Sequence, residues 1–331
     1  MELTPAQIAF ISSALPNFNI SNWKAELAGQ AASARRFCRL TPSSTLNFPE
    51  NSYILMEWDS SDEDWPRFLG IESELSSTVP FLPRIYASDP KSGLILEEDL
   101  GAVTLKQFCV NNSANIPIIE KMYKEVIDAL RAWQRLDIST SCVITSRSMD
   151  KEMFLWESGY FAEHCVSGCF NKKNLLTAQW DSERIKMASA AGSFHKTFIH
   201  RDFQSENILI HNGKIRFVDF QGARLGSPHY DAASLLFDPY INQLNDAAVN
   251  NLLDYYLGKN NNPAEKNNFY LCAAQRLMQA LGAYGNLSLN KGKPHYKQFI
   301  PIALQRLSKI FENLPDYPAM AEVVKKCSFQ Q

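Results

Sequence analysis

Over the first hundred residues short apolar runs alternate with turn-forming residues, and one longer amphipathic segment interrupts them. Residues 4–16 predict a helix, with Thr4 as N-cap, Pro5 at its first position and Pro16 closing it. Between Leu27 and Leu40 small residues separate two apolar segments, and the second segment alternates. This pattern resembles a β-hairpin, and a tip lying over a nucleotide phosphate is one reading of it. A plain turn is the competing reading, because the segment holds the single glycine Gly29 and no G-x-G-x-x-G. Tyr53–Trp58, Arg84–Ala87 and Leu94–Glu98 read as strands, the last two joined by a turn at Asp89-Pro90-Lys91-Ser92-Gly93. Residues 62–77 place Phe68, Leu69, Ile71 and Leu75 at helical spacing, with Glu72 and Glu74 beside them.

Beyond Leu105 the spacing becomes helical. Residues 115–136 carry Ile119, Met122, Val126, Ile127, Leu130 and Trp133 on one face, and 150–163, 244–257, 265–287 and 296–313 read as further helices. The aromatic stripe of Phe154, Trp156, Tyr160 and Phe161 is assigned to packing. The fold class is therefore α+β and bilobal: a small antiparallel-sheet lobe over 1–100, ended by Asp99-Leu100-Gly101, and a mostly helical lobe over 101–331.

One stretch of the second lobe departs from helical spacing. From Phe198 to Asp231 alternation returns: Ile208-Leu209-Ile210 and Ile215-Arg216-Phe217-Val218 flank His211-Asn212-Gly213-Lys214, and Asn-Gly between apolar runs predicts a hairpin. Two polar islands bracket it. His200-Arg201-Asp202-Phe203-Gln204-Ser205-Glu206-Asn207 matches the kinase pattern H-R-D-x-x-x-x-N, and Asp219-Phe220-Gln221 stands where kinases carry Asp-Phe-Gly. The hairpin would bring Asn207 and Asp219 to neighbouring strand ends, able to share one cation. Phosphoryl transfer needs such a site, because Mg²⁺ offsets the triphosphate charge and holds its oxygens. Asp202, five residues before Asn207, is the expected catalytic base that takes the proton of an attacking hydroxyl. His200 is expected to brace the loop and Arg201 to pair with a carboxylate.

Composition narrows this picture only at its edges. The 331 residues are 45% hydrophobic and 21% charged, as in ordinary globular proteins. A formal charge of −2 argues against nucleic acid as a partner. No apolar run is long enough for a membrane span, and the N-terminus lacks the basic-then-apolar pattern of a secretory signal. A cytoplasmic protein is expected, with no membrane partner and no oligomeric state assigned. Seven cysteines without framework spacing fit a reducing compartment, and His164, Cys165 and Cys169 lack the second pair that a structural zinc site needs.

The two islands resemble the aminoglycoside phosphotransferase family, a protein-kinase-like group of small-molecule kinases. Ala32–Arg39, Leu94–Gly101, Tyr230–Leu236 and Lys291–Tyr296 are similar to a subgroup of bacterial cell-wall amino-sugar kinases. That subgroup phosphorylates the anomeric hydroxyl of N-acetylmuramate and N-acetylglucosamine in peptidoglycan recycling. The resemblance implies a protein-kinase-like fold, ATP or another nucleoside triphosphate with Mg²⁺ as cofactors, and a small-molecule sugar as substrate. By position it makes Asp202 the base and Asn207 and Asp219 the magnesium ligands. It lays the Gly29–Arg36 segment, with Ser33 and Arg35, over the nucleotide, and puts backbone groups near Glu98 and Leu100 at the adenine or guanine. Asp231 either braces the loop, the preferred reading, or helps to hold the substrate.

Two departures from the kinase pattern bear on the chemistry. Tyr53–Trp58 carries no lysine, so a cation over the phosphates would come from Arg35 or Arg36, and Gln221 replaces the glycine of Asp-Phe-Gly. The missing lysine motivates one rival reading, a pseudokinase that binds nucleotide without turnover. The other rival is an aminoglycoside kinase conferring resistance. From Tyr230 onward eight acidic residues face ten basic ones, which does not favour a polycationic substrate and suits a carboxylate-bearing sugar.

Overall fold

The computed structural model describes residues 1–16, 18–28, 35–43 and 52–328, and the chain forms two compact units. The first is Met1–Ala102 with Leu209–Gly222; the second is Val103–Ile208 with Ala223–Gln331. The hairpin after the catalytic-loop motif, which lies beyond the residue-100 boundary in sequence, therefore belongs to the N-terminal unit.

In the first unit α1 (Pro5–Ala14) starts with a capping box: the Thr4 hydroxyl accepts from Gln7 N–H, and the Gln7 side chain accepts from Thr4 N–H. Five strands follow, β1 (Trp23–Leu27), β2 (Arg36–Pro42), β3 (Tyr53–Glu57), β4 (Ile85–Asp89) and β5 (Leu94–Glu98). They pair antiparallel in the order β1-β2-β3-β5-β4. Ile11 of α1 packs with Cys38, Leu40, Leu55, Leu94 and Leu96 of the sheet. Each such buried aliphatic side chain stabilises the fold by about 1.5–3 kcal/mol before its entropy cost. The helix α2 (Asp64–Leu75) buries Trp65, Phe68, Ile71 and Leu75 at helical spacing. It also buries Glu72, whose carboxylate accepts from Ile85 N–H at 3.3 Å and so ties α2 to the start of β4.

The hairpin of β7 (Ile208–His211) and β8 (Lys214–Phe217) turns through Asn212 and Gly213 at φ 51° and 72°. Two successive positive φ values are what a tight two-residue hairpin turn requires, and Asn-Gly supplies them at little strain. Three contacts hold it to the first unit. Phe217 N–H donates to Phe81 O at 2.7 Å, Phe68 stacks on Phe220 at 4.5 Å, and Arg216 forks onto the Glu98 carboxylate at 2.9 and 2.5 Å.

The second unit is helical. Its elements are α3 (Leu105–Asn111), α4 (Ile116–Gln134), α5 (Cys142–Thr145), α6 (Lys151–Tyr160), α7 (Ala178–Gly192), α8 (Pro228–Leu236), α9 (Asp246–Leu257), α10 (Pro263–Leu289), α11 (Ile300–Phe311) and α12 (Pro318–Ser328). The predicted face of α4 is buried, except that Tyr123 takes the inward place in the stead of half-buried Met122. The stretch 150–163 differs more. After α6 the chain widens into a π-helix, Phe161–Cys169, and Trp156 of the aromatic stripe is exposed while Phe154 and Phe161 are buried. Against this segment α10 presents Gly282 and Gly285. A Cβ at Gly285 would lie 2.5 Å from His164 O, so the close approach of two backbones requires glycine there. The stretch 296–313 splits into a 3₁₀ turn, Pro294–Phe299, and α11.

Short strands β6 (Thr197–Ile199) and β9 (Arg224–Gly226) pair antiparallel, with Ile199 opposite Arg224. They fix the point at which the chain enters the catalytic-loop motif. Among the described residues no helix is long and apolar enough to cross a membrane.

Candidate active site

In the second unit β6 delivers the chain to His200, and the loop from there to Asn207 is pinned by two buried carboxylates of the α8 region. Asp231, in the first turn of α8, accepts from the backbone N–H of His200 at 2.6 Å and of Arg201 at 2.9 Å. Asp238, just past α8, accepts from Ser205 N–H at 2.7 Å and from Tyr240 N–H at 3.0 Å. Both side chains are out of solvent, and burial pushes the Asp231 carboxyl up to about 7 although the two N–H donors oppose it. Arg201 is held at φ 77°, a left-handed backbone that an arginine adopts only when its surroundings impose it. Asp231 thus braces the first half of the loop and Asp238 the second.

Between the braces Asp202 keeps its carboxylate one-third exposed, at 31% of the side chain. Arg276 of α10 stands 3.8 Å from Asp202 Oδ1 and is itself held by Ser234 Oγ, Gln279 Oε1 and Gln204 Oε1. Asn207 turns its amide Nδ2 to Asp202 O at 2.9 Å, which leaves Oδ1 as the donor a cation could use. Glu206 pairs with Lys106 of α3 at 2.6 Å. His200 is fully buried, edge-on to Phe203, as a bracing residue would be. Arg201 gives its backbone N–H to Asp231, and its guanidinium Nε has no hydrogen-bond partner among the described residues; burial disfavours the guanidinium's charge, but the attraction of Asp202 and Glu157 outweighs it. Asp238 and Arg276 were not foreseen. The available signals were an acid seven residues after Asp231 and a Gln275-Arg276 pair inside the otherwise apolar α10.

In the first unit the second island is built differently. Asp219 lies at φ 62° and its carboxylate, 33% exposed, pairs with the guanidinium of Arg35 and accepts from Gln221 Nε2 at 2.9 Å. Arg35 lies over the Trp58 ring at 4.9 Å. Of the two candidate cations, Arg35 therefore meets the Asp219 motif, whereas Arg36 is exposed and reaches Glu57 at 3.4 Å. Gln221 has a use as well, since its amide orients Asp219 where glycine would offer nothing. Gly29 and Ser33 lie outside the described residues.

The backbone N–H of Glu98 donates to Arg84 O and its carboxylate holds Arg216, so Glu98 fastens the sheet. Leu100 is buried, next to Asp99, which takes both the Arg39 fork and Gly101 N–H. Gly101, at φ 79°, carries the chain out of the sheet.

Each unit by itself thus presents an oxygen of the kind a hard cation such as Mg²⁺ takes, the Asp219 carboxylate in the first and the Asn207 Oδ1 in the second. The Asp219 carboxylate already holds a cation in Arg35, so the geometry fits a positively charged group at that oxygen.

Comparison with known proteins places the chain among phosphotransferases. The model of the phosphotransferase enzyme family matches residues 24–266. The chain is 24% identical over 332 residues to the N-acetylmuramate/N-acetylglucosamine kinase of Pseudomonas aeruginosa, covering 95% of this chain and 94% of that one. It is 26% identical over 263 residues to the protein of the same name from Caulobacter vibrioides, covering 73% and 68%. Among solved structures, Plasmodium vivax ethanolamine kinase superposes with a TM-score of 0.64 at 14% identity, over 93% of this chain and 90% of that one. Aminoglycoside phosphotransferase APH(4)-Ia gives 0.62 at 16% identity, over 91% and 99%. These structures share the bilobal protein-kinase-like fold expected from the sequence. With the family's model spanning most of its length, the chain belongs to the phosphotransferase enzyme family.

Proposed function

We propose that the protein is an ATP- and Mg²⁺-dependent kinase that phosphorylates the anomeric hydroxyl of an N-acetyl amino sugar, N-acetylmuramate or N-acetylglucosamine. What carries the reading is Asp202: a part-exposed carboxylate on a loop whose backbone is fixed at both ends by buried acceptors. A base held this way loses little freedom when the acceptor hydroxyl docks, and general-base catalysis of this kind contributes about 10²–10⁴-fold. The carboxylate orients the hydroxyl oxygen towards the γ-phosphorus and takes its proton as the O–P bond forms. An anomeric hydroxyl is more acidic than an ordinary alcohol, so this transfer can come late. The full-length likeness to amino-sugar kinases supports the acceptor.

Asn207 Oδ1 and the Asp219 carboxylate would hold the magnesium ion, which when bound neutralises the nucleotide's phosphates. Arg35 then turns from Asp219 to those phosphates and supplies the cation that β3 lacks. The chain around Leu100 receives the base of the nucleotide. Asp231 and Asp238 act on the loop backbone and not on the sugar.

The test is ADP release by the purified protein with N-acetylmuramate, N-acetylglucosamine, other hexoses, choline and kanamycin. Turnover on the two N-acetyl sugars, with phosphate on C1, is expected. Turnover on kanamycin alone would replace this reading with the aminoglycoside one, and nucleotide binding with no turnover on any acceptor would replace it with a pseudokinase. Asp202→Asn should lower kcat by about 10²–10⁴-fold while nucleotide affinity stays within threefold. Unchanged turnover would remove Asp202 from the role of base.

A further inference from the structure

An acid that the reaction as described does not use lies inside the second unit. Glu157 of α6 is fully buried, and its helix packs Phe154 in one core with Tyr230 of α8 and Ile199 of β6. Its Oε1 accepts from the Tyr230 hydroxyl at 2.8 Å, while Oε2 takes no hydrogen bond among the described residues. A carboxylate withdrawn from water needs opposite charge to stay ionised, because one bond from a neutral phenol does not replace its hydration. Burial lifts the Glu157 carboxyl to about 7, and against that Arg201, the Tyr230 hydroxyl, Arg276 and Arg224 favour the charged form. The groups that face it are thus Arg201 of the catalytic loop, Arg224 of β9, Arg276 of α10 and the phenol of α8. The thiol of Cys272 on α10 joins them, and burial pushes it up to about 12, so it stays neutral.

Two of these guanidiniums also answer to Asp202. Burial disfavours the charge of Arg201, and Asp202 and then Glu157 favour it. In Arg276 burial is likewise outweighed, by Tyr230, Asp202, Tyr284 and Glu157. Two carboxylates, one buried and one part-exposed, therefore share the same pair of cations. Arg276 stops 3.8 Å from Asp202 Oδ1, beyond hydrogen-bond range, while its nitrogens are held by Ser234 Oγ, Gln279 Oε1 and Gln204 Oε1. At that distance Arg276 leaves the Asp202 carboxylate to a docking hydroxyl.

We infer that Glu157 is a positioning residue which, when ionised, draws Arg201 and Arg276 inward and keeps Asp202 clear of a direct ion pair. It acts through the two arginines and touches neither sugar nor nucleotide. The inference rests on the reading of Asp202 as the base and extends it to a residue of another helix. When Glu157 takes a proton, the attraction of both guanidiniums shifts to Asp202. Arg276 then closes on Oδ1, and the acceptor hydroxyl meets a carboxylate that is already bonded. Turnover should therefore rise with pH as Glu157 ionises.

The test is the ratio of native to Glu157→Gln kcat as a function of pH, at saturating sugar and Mg–ATP, because titration of the nucleotide cancels in a ratio. Glutamine keeps the shape of the side chain and stays neutral. The ratio should be about ten above about pH 8, the worth of one hydrogen bond to a charged group, and fall towards about one below about pH 6. A ratio that does not rise with pH would overturn the inference and leave Glu157 a structural residue of α6. In Tyr230→Phe the carboxylate loses its phenol donor, which raises its proton affinity. The midpoint of the rise, measured against the double variant with Glu157→Gln, should then move up by about one pH unit. An unmoved midpoint would mean that another group titrates, and would overturn the inference as well. If the native protein phosphorylates no acceptor, the reading of Asp202 as the base fails by itself. The carboxyl carbon-13 resonance of Asp202, assigned by its loss in Asp202→Asn, then decides the inference. It should shift as Glu157 ionises in the native protein and lose that step in Glu157→Gln. A step present in both proteins, or in neither, sinks it.

Discussion

Each polar island carries a left-handed non-glycine residue, Arg201 in the second unit and Asp219 in the first, yet the two are held by opposite means. The Arg201 loop is fixed through its backbone: Asp231 and Asp238 are buried and accept from the N–H groups of His200, Arg201 and Ser205. Asp219 is fixed through its side chain, by Arg35 and the Gln221 amide. Removing a backbone brace alters the path of the chain. Removing a side-chain partner frees one carboxylate. The first arrangement suits a group that must keep its geometry through the reaction, the second a ligand that must exchange one cation for another.

The largest effect is expected at the braces. Asp231→Ala leaves two buried N–H groups without an acceptor, which costs about 2–6 kcal/mol at about 1–3 kcal/mol for each. Turnover should fall about a hundredfold or more, because Asp202 loses its fixed position. Asp231→Asn should be nearly as damaging, since the amide replaces one acceptor oxygen by a donor facing an N–H. Thermal melting and kcat measured together check this. A variant that melts like the native protein and turns over normally would show that the braces are dispensable and would remove the contrast between the loops.

The same contrast explains what was legible in the sequence. The hairpin of β7 and β8 could be read because Asn212-Gly213 alone selects its turn, and α4 because its apolar face repeats every three to four residues. The polar islands could be read because their chemistry lies within eight consecutive residues. Asp238 and Arg276 could not, since their roles exist only once α8 and α10 pack beside the loop. The helix α7 was missed for a different reason: Trp180, Met187, Ala188 and Ala191 are buried among small and charged residues that give no clean stripe. The π-helical Phe161–Cys169 answers to Gly282 and Gly285, more than a hundred residues away in sequence. The allegiance of 209–222 to the first unit likewise depends on Arg216 finding Glu98.

A smaller effect, in the first unit, comes from a carboxylate with no brace to provide. Glu97 of β5 is buried, and its Oε2 has no hydrogen-bond partner among the described residues. Burial raises its carboxyl from 4.5 to about 8, with Arg35 opposing the shift. The folded state therefore holds this proton where the unfolded chain releases it. The group's contribution to stability is full below about pH 4.5 and is lost as pH rises towards 8, at up to about 1.4 kcal/mol per pH unit. Glu97→Gln should flatten this loss and be more stable than the native protein by about 2–5 kcal/mol at pH 9, with little difference at pH 4.5. Denaturant melts at the two pH values check the sign. Parallel pH profiles would mean that Glu97 is ionised and partnered after all, so that the first unit also fixes its geometry with buried carboxylates.

The smallest effect is expected at the pair that defines the exchangeable side of the comparison. Arg35 and Asp219 expose 11% and 33% of their side chains, so water reaches the pair at the carboxylate, and such a part-exposed pair contributes about 1 kcal/mol to stability. Arg35→Gln should therefore shift the melting temperature by about 2 °C or less. Its effect should fall on the nucleotide: if the guanidinium leaves Asp219 for the phosphates when Mg–ATP binds, the KM for ATP should rise about tenfold, worth about 1.4 kcal/mol. The KM for the sugar should stay unchanged if the acceptor docks at Asp202 as proposed. A melting temperature lowered as far as in Asp231→Ala would show that Arg35 is a structural brace and that both loops are fixed in the same way. An unchanged KM for ATP would show that the cation above the phosphates comes from another residue. A rise in KM with an unchanged melting curve is the outcome that separates a replaceable partner from a brace.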